Sequence, residues 1–183
     1  MIRFFDLVLS IVLLVVLFPL LLIVWFLGLF DTGSPLFFQK RMGKQMKPFT
    51  LIKFRTMLVN SVNIPTHLVN ISSVTPLGKI LRSSKIDELP QLINVIQGNM
   101  SIVGPRPNLI DQSELIEHRS KLGVYSVKPG ITGLAQINKI DMSTPELLSL
   151  TDAKMIQNLN LKFYFKCIFK TAFGKGFCDR IKF

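Results

Sequence analysis

Two adjacent carboxylates, Asp87 and Glu88, are the side chains whose type and setting best suit covalent chemistry. They stand in the basic segment 82–90, directly before apolar residues that recur at helical spacing over 89–96. At the N-terminus of a helix, the backbone amides and the helix dipole favour an ionised carboxylate. Asp87 could then attack phosphorus while Glu88 helps to hold a metal ion. The alternative is that Asp87 only caps the helix.

Basic side chains that could grip phosphate are spread over several other segments. Arg106 stands between two prolines, which restrict its backbone and lower the entropy lost on binding an anion. Lys53 and Arg55 project from one face of a predicted strand, either as a phosphate clamp or as a solvated face. The segment 128–136 offers glycine amides that could approach a phosphate, or a plain turn. The candidate substrate-binding residues are Lys53, Arg55, Arg82, Arg106, Gln136 and Arg41.

Composition supports a phosphate-bearing or lipid partner. The chain has 22 basic and 11 acidic residues, a net charge of +11, and 49% hydrophobic residues. One carboxylate pair among arginines, lysines and glycine loops suits phosphoryl transfer, in which positioning and charge neutralisation provide most of the catalysis. Nucleic acid is not expected as a partner, because the aromatic residues cluster with apolar ones and do not alternate along a basic strand. The two cysteines and two histidines lack the spacing of a zinc site.

The sequence patterns of the segments that must position these residues predict an α+β, predominantly helical fold. Two short strands, 36–39 and 49–57, form a hairpin across the turn at 43–48. The C-terminal stretch 159–183 mixes aromatic residues with lysines, which is typical of an amphipathic helix lying in a membrane interface. The predicted organisation is therefore a membrane-inserted helix over 1–31 and an interfacial catalytic domain over 32–183.

The N-terminal segment 7–30 carries no charge and is long enough to cross a bilayer as a helix. A signal peptide is the less favoured alternative, because the run is longer than a signal-peptide core and lacks a cleavage site. Pro19 removes a backbone hydrogen bond near its middle and predicts a bend there. Basic residues flank both ends, so a kinked, re-entrant helix and a plain single-pass helix both remain open.

Taken together, the motifs resemble those of the bacterial sugar transferases, in particular the small monotopic phosphoglycosyl transferases. The matching runs extend over most of the chain in a specific order. They are FQKRMG at 38–43, KFRTM at 53–57, RSSKIDELP at 82–90, GNMSIVGPRP at 98–107 and KPGITGLAQ at 128–136.

This resemblance implies a re-entrant helix that enters one leaflet of the bacterial inner membrane from the cytoplasmic face, with a small catalytic domain at the interface. Asp87 would attack the β-phosphate of a UDP-sugar donor, release UMP and carry the phosphosugar until polyprenyl phosphate, typically undecaprenyl phosphate, accepts it. Glu88, with Asp87, would place Mg²⁺. Membrane lipid surrounds such enzymes, and downstream glycosyltransferases would be further partners.

The sequence departs from the family pattern at two places. Family members often carry Ser-Pro at the helix break, where this chain has Phe18 and Pro19, so only the proline supports the kink. Members also tend to have an acidic residue shortly before a tyrosine pair near the C-terminus, where this chain has Lys162 before Tyr164. The alternative function from another class is a non-catalytic, basic membrane-surface module, whose acidic pair only caps a helix.

Overall fold

The computed structural model describes residues 1–59 and 73–173 of the chain. Within these residues the fold is mostly helical, with an antiparallel hairpin and a short parallel strand pair, which confirms the predicted class in its coarse form. In chain order the elements are α1 (Ile2–Thr32), β1 (Leu36–Met42), β2 (Pro48–Phe54), α2 (Pro76–Ser84), α3 (Gln91–Ile96), β3 (Ser101–Val103), α4 (Ser113–Lys121), β4 (Gly130–Thr132), α5 (Leu134–Ile137), α6 (Pro145–Gln157) and α7 (Leu161–Ala172).

Helix α1 is one run of 31 residues that extends beyond the predicted apolar segment 7–30 at both ends. Pro19 lies inside it, and Gly33 ends it in the left-handed conformation, with a φ of 70°. Only 11% of its most apolar window is buried, so most of its apolar side chains face outward. Its length and composition are those of a membrane-crossing helix, and this exposure is unlike that of a soluble protein's core helix.

The first turns of α1 are bound to the rest of the protein through polar side chains. Arg3 donates hydrogen bonds of 2.6 and 3.0 Å to two carbonyl oxygens at the end of α3. Oδ1 of the buried Asp6 accepts from the Ser101 hydroxyl at 3.0 Å and from the Ile102 amide at 2.9 Å. The Tyr164 hydroxyl donates a third hydrogen bond to the same oxygen at 2.9 Å. The start of α1 is therefore fixed to α3, β3 and α7.

The other end of α1 contacts β2 and the start of α2. The Thr75 hydroxyl donates to Oδ2 of Asp31 at 2.7 Å. Two turns earlier, Val24 is buried against Phe54 and Leu81. Both ends of α1 are thus attached to one folded unit, and the apolar side chains between them are left largely exposed.

The hairpin of β1 and β2 confirms the prediction of two antiparallel strands, with different bounds. Its register runs from Leu36 opposite Phe54 to Met42 opposite Pro48. The second strand ends at Phe54 and not at residue 57, because β1 offers no strand partner beyond Leu36. Phe49, Leu51 and Phe54 are buried by the helices that cover the hairpin.

The parallel pair of β3 and β4 brings together two motifs that are about thirty residues apart, with Ser101 opposite Gly130 and Val103 opposite Thr132. The Gly130 amide donates to the Pro105 carbonyl at 2.9 Å. A Cβ at Gly130 would overlap the backbone of Gly104. Close strand packing therefore requires this glycine and engages its amide, and the approach of a phosphate to the glycine amides of the segment 128–136 stays a prediction.

Helix α7 covers Leu161–Ala172 of the predicted 159–183 segment, and residues 174–183, including Cys178, lie outside the described residues. Its inward side chains, Tyr164 and Cys167, are buried in the main hydrophobic cluster. Burial raises the pKa of the free Cys167 thiol to about 11. Lys162 and Lys166 are exposed on the outer side. The placement of α7 in a membrane interface stays a prediction.

Candidate active site

The carboxylate pair lies in a tight corner between two helices. Helix α2 (Pro76–Ser84) follows its N-cap Thr75, and its C-cap Lys85 adopts a left-handed conformation with a φ of 61°. The chain then forms a single 3₁₀ turn over Ile86–Glu88 before α3 begins at Gln91. Asp87 and Glu88 are both in this turn and are 4% and 8% exposed. The reversal at Lys85 directs the two carboxylates back towards the face of α2 that carries Arg82.

The capping alternative for Asp87 is not supported by the helix ends. Within the described part of the chain, Pro90 is the N-cap of α3 and makes no side-chain capping hydrogen bond. The 3₁₀ turn likewise has no side-chain cap at Lys85. Asp87 therefore does not occupy the capping position that this interpretation requires.

Asp87 and Glu88 line a shallow, solvent-open space, which we call the polar hollow. Its other lining residues are the cations Arg41, Lys53, Arg82 and Arg106, together with Leu51, Gln91, Pro107, Gly130 and Ile131. Four cations against two carboxylates leave a surplus of two positive charges. Such a surplus favours binding of a polyanion such as a diphosphate.

The arginines of the polar hollow are held in place by short contacts. Nη2 of Arg106 lies 2.9 Å from Oε1 of Glu88. Nε of the buried Arg82 donates to the Thr56 hydroxyl at 2.8 Å. Arg41 donates from Nη1 to a backbone carbonyl of the Pro-Arg-Pro segment, at 3.1 Å. These contacts reduce the freedom of the guanidinium groups before any anion binds.

Of the predicted pair Lys53 and Arg55, only Lys53 lines the polar hollow. Both side chains lie over the ring of Phe37, at 5.3 and 5.2 Å from its centroid, so they do project to one side of the hairpin. Lys53 also lines the polar hollow. Arg55 follows the end of β2, and its Nε donates to the Ser34 carbonyl at 2.9 Å. Arg55 is not among the residues that line the hollow, and its role in substrate binding stays a prediction.

Gln136 lies in a neighbouring space, which we call the apolar groove. The groove has a cavity volume of about 270 Å³ and lies beside the polar hollow. The residues that line it are Leu13, Lys85, Glu88, Leu89, Leu92, Ile102, Arg106, Ile131, Thr132, Gln136, Ile168, Thr171 and Ala172. Nε2 of Gln136 donates to the Ile131 carbonyl at 3.0 Å. The structure therefore separates Gln136 from most of the predicted phosphate-binding cations, although Arg106 borders both spaces.

A buried network that no local sequence pattern indicates supports the Arg106 segment. Nη1 of Arg119 donates to the Arg106 carbonyl and to Oδ1 of Asn108, both at 2.9 Å. Nη2 of Arg119 pairs with Asp152 at 2.7 Å, and both side chains are at most 2% exposed. Burial raises the pKa of Asp152, and the charge of Arg119 opposes that rise. The partners lie on α4 and α6, and no local pattern connects the two helices.

The donor set of the polar hollow is compatible with Mg²⁺. Over residues 1–59 and 73–173, no group of three or more His, Cys, Asp or Glu side chains could hold a metal ion. Asp87 and Glu88 are the two carboxylates that line the polar hollow. Mg²⁺ is commonly bound through one or two carboxylates, with substrate phosphates and water completing its coordination.

Comparison with known proteins agrees with the motif resemblance. The bacterial sugar transferase family matches residues 1–175. Relatives include the UDP-glucose:undecaprenyl-phosphate glucose-1-phosphate transferase of Klebsiella pneumoniae, 37% identical over 97% of this chain and 40% of the relative. The undecaprenyl-phosphate galactose phosphotransferase of Salmonella typhimurium is 34% identical over 93% of this chain and 39% of the relative. The exopolysaccharide production protein ExoY of Sinorhizobium fredii is 35% identical over 92% of this chain and 82% of the relative.

The chain thus spans about two-fifths of the length of the first two relatives and most of the third. The family match covers nearly the whole chain, including all the segments that form the polar hollow. The chain belongs to the bacterial sugar transferase family.

Proposed function

We propose that this protein transfers a phosphosugar from a UDP-sugar to a polyprenyl phosphate such as undecaprenyl phosphate, through a covalent intermediate on Asp87. One observation carries the proposal: two buried adjacent carboxylates share a hollow with four cations, in a domain attached to both ends of a long apolar helix. The names of the Klebsiella and Salmonella relatives describe sugar-phosphate transfer to undecaprenyl phosphate, which supports the same reaction class.

In the first step, a carboxylate oxygen of Asp87 attacks the β-phosphorus of the UDP-sugar. The bond between that phosphorus and the bridging oxygen breaks, and UMP leaves with the electron pair. The phosphosugar is then bonded to the Asp87 oxygen as an acyl phosphate. No proton transfer is needed, because both the nucleophile and the leaving group are anionic.

In the second step, a phosphate oxygen of the polyprenyl phosphate attacks the phosphorus of the acyl phosphate. The bond from phosphorus to the Asp87 oxygen breaks and the carboxylate is regenerated. The product is a polyprenyl diphosphate sugar, which is a suitable first intermediate of membrane-bound glycan assembly. Downstream glycosyltransferases would consume it.

The cations of the polar hollow would provide most of the catalysis by neutralising charge on the diphosphate. Arg106 and Arg82 are positioned by Glu88 and Thr56, so their guanidinium groups need little reorganisation when the donor binds. Mg²⁺ held by Asp87 and Glu88 would supply further charge neutralisation at the phosphates. Lys53 and Arg41 would contact the parts of the donor that extend towards the hairpin.

We further propose that α1 is re-entrant, with the domain on the cytoplasmic face of the bacterial inner membrane. Asp31 and Asp6, near opposite ends of α1, both hydrogen-bond to the same domain. A single-pass helix would place its ends on opposite sides of the bilayer, about 30 Å apart. A bend at Pro19 would allow both ends to stay on one side. Residues 1–31 would then be the membrane-inserted element, whose first turns are anchored in the catalytic domain 32–183.

The proposed activity is tested by supplying detergent-extracted protein with Mg²⁺, a panel of UDP-sugars and undecaprenyl phosphate. We expect release of UMP with at least one sugar, and loss of that release in Asp87→Asn. The exposed Asp111 provides a matched control, because Asp111→Asn removes a carboxylate outside both spaces. Full turnover in Asp87→Asn would contradict the covalent mechanism, and binding of lipid without any turnover would favour the non-catalytic module.

A further inference from the structure

The apolar groove has no role in the first step of the proposed reaction. It opens between the middle of α1, the start of α3 and the last turns of α7, through Leu13, Leu92 and Ile168. Its cavity volume of about 270 Å³ is close to the lower end of the range of about 300–1,000 Å³ for small-molecule sites. A space of this size and lining suits an aliphatic chain and not a nucleotide.

The groove meets the polar hollow at a charged boundary. Glu88, Arg106 and Ile131 line both spaces, and Lys85 lines the groove beside them. Arg106 and Lys85 thus place two cations at the end of the groove that is nearest to the carboxylate pair. An apolar space with cations at one end matches a molecule with a hydrocarbon tail and an anionic head.

The groove is also continuous with the part of the protein that is expected to lie in lipid. Leu13 belongs to the largely exposed stretch of α1 and is itself 38% exposed. Ala172, on the opposite wall, is exposed as well. A chain leaving the groove past these residues would enter the hydrocarbon layer beside α1.

We propose that the apolar groove binds the isoprenoid units nearest the phosphate of the polyprenyl phosphate acceptor, with that phosphate between Lys85 and Arg106. This inference rests on the proposed function and assigns the acceptor a site separate from that of the donor. The UDP-sugar occupies the polar hollow, and the acceptor phosphate approaches Asp87 from the other side of the Glu88–Arg106 pair. The rest of the isoprenoid chain lies in the bilayer.

The test separates the two half-reactions. Ala172→Trp places a large side chain in the groove without removing a buried group, and Phe169→Trp is the matched control on an exposed position of α7 that does not line the groove. With UDP-sugar alone, both variants should form the covalent adduct as fast as the wild type. When undecaprenyl phosphate is then added, we expect Ala172→Trp to lose its adduct about 10²-fold more slowly, the effect of a misplaced reactant, and Phe169→Trp to behave as the wild type.

Equal second-step rates in Ala172→Trp and the wild type would overturn the assignment of the groove.

If Ala172→Trp forms no adduct, photocrosslinking of the wild type with a diazirine-labelled polyprenyl phosphate decides the question. Labelling at Leu13, Leu92 or Ile168 that unlabelled undecaprenyl phosphate suppresses would support the site. Labelling elsewhere, or suppression by excess phospholipid to the same degree, would overturn it. Failure of the wild type to form any adduct would instead contradict the proposed function, and the crosslinking result would still test the groove.

Discussion

Nη2 of Arg106 lies 2.9 Å from Oε1 of Glu88, and this ion pair stands at the boundary between the polar hollow and the apolar groove. The pair is therefore in reach of both the proposed donor and the proposed acceptor. Its position makes Arg106 the cation whose charge should matter in both half-reactions.

Replacing Arg106 by glutamine should lower the rate of UMP release by about 10²- to 10³-fold, because one charge-neutralising group is removed from the transition state. The rate is measured in a coupled UMP assay at saturating UDP-sugar. Lys154→Gln is the control, since Lys154 is an exposed cation on α6 that lines neither space. Equal loss in the two variants would indicate a general effect of net charge and contradict the specific role of Arg106.

The buried pair of Arg119 and Asp152 should be essential for stability. Asp152→Asn leaves the Arg119 charge buried without its counter-ion, which typically costs about 3–5 kcal/mol. We expect a correspondingly lower denaturation midpoint. Because Arg119 also holds the Arg106 carbonyl, we further expect a lower rate of UMP release from the protein that remains folded.

The exposed pair of Glu117 and Lys121 is the matched control for this measurement. Its atoms are as close, at 2.6 Å, but its side chains are 66–67% exposed. Glu117→Gln should leave the denaturation midpoint unchanged, because water screens such pairs. An Asp152→Asn protein as stable as Glu117→Gln would show that the buried pair is dispensable.

The hydrogen bond from Tyr164 to Asp6 gives a pH-dependent prediction. Burial and the Asp6 carboxylate raise the pKa of Tyr164 above its ordinary value of 10.0, so the folded protein keeps the phenol protonated where the unfolded chain begins to ionise it. Stability from this group is therefore complete below about pH 10 and is lost as the pH rises further. Tyr164→Phe should destabilise the protein by about 1–3 kcal/mol at neutral pH, because a buried acceptor loses a donor.

Chemical denaturation of both proteins from neutral to alkaline pH is the measurement. The difference in free energy of unfolding between wild type and Tyr164→Phe should shrink as the pH rises above 10.0. A difference that stays constant across this range would mean that the phenol is not held in its protonated form by the fold.

The re-entrant topology of α1 predicts that both chain termini are on the cytoplasmic side. A tag at either end should be protected from protease added to intact cells and cleaved once the inner membrane is permeabilised. The C-terminal tag serves as the internal reference for the side on which the domain lies. Cleavage of an N-terminal tag in intact cells would establish a spanning helix.

The local motifs predicted much of the candidate site. Asp87, Glu88, Arg82 and Arg106 were expected to act together, and they line one hollow, because each lies in a short segment with strong local preferences. Arg55 and Gln136 lie elsewhere: β2 ends one residue before Arg55, and Gln136 lies in α5, from where it lines the groove. The positions of these two side chains depend on where an element begins or ends, and element boundaries are the least certain part of a sequence pattern.

The contacts that the sequence did not predict join residues far apart in the chain. Asp6 and Tyr164 are 158 positions apart. In the sequence, Asp6 is recognisable only as a charged residue at one end of an apolar segment. Strands β3 and β4 have three residues each, too few for a periodic signal. Their parallel pairing, which sets the Arg106 segment beside the hollow, is determined by tertiary packing and not by local preference.

The proposed mechanism depends most on the formation of a bond between Asp87 and phosphorus. Intact-mass measurement of the protein after incubation with Mg²⁺ and a UDP-sugar alone tests it most directly, followed by peptide mapping of the modified residue. We predict a mass gain equal to one phosphosugar, with one UMP released per modified chain, mapped to Asp87 and missing in Asp87→Asn. A wild-type protein that transfers phosphosugar to undecaprenyl phosphate without gaining this mass, or an adduct that maps to another residue, would contradict the account.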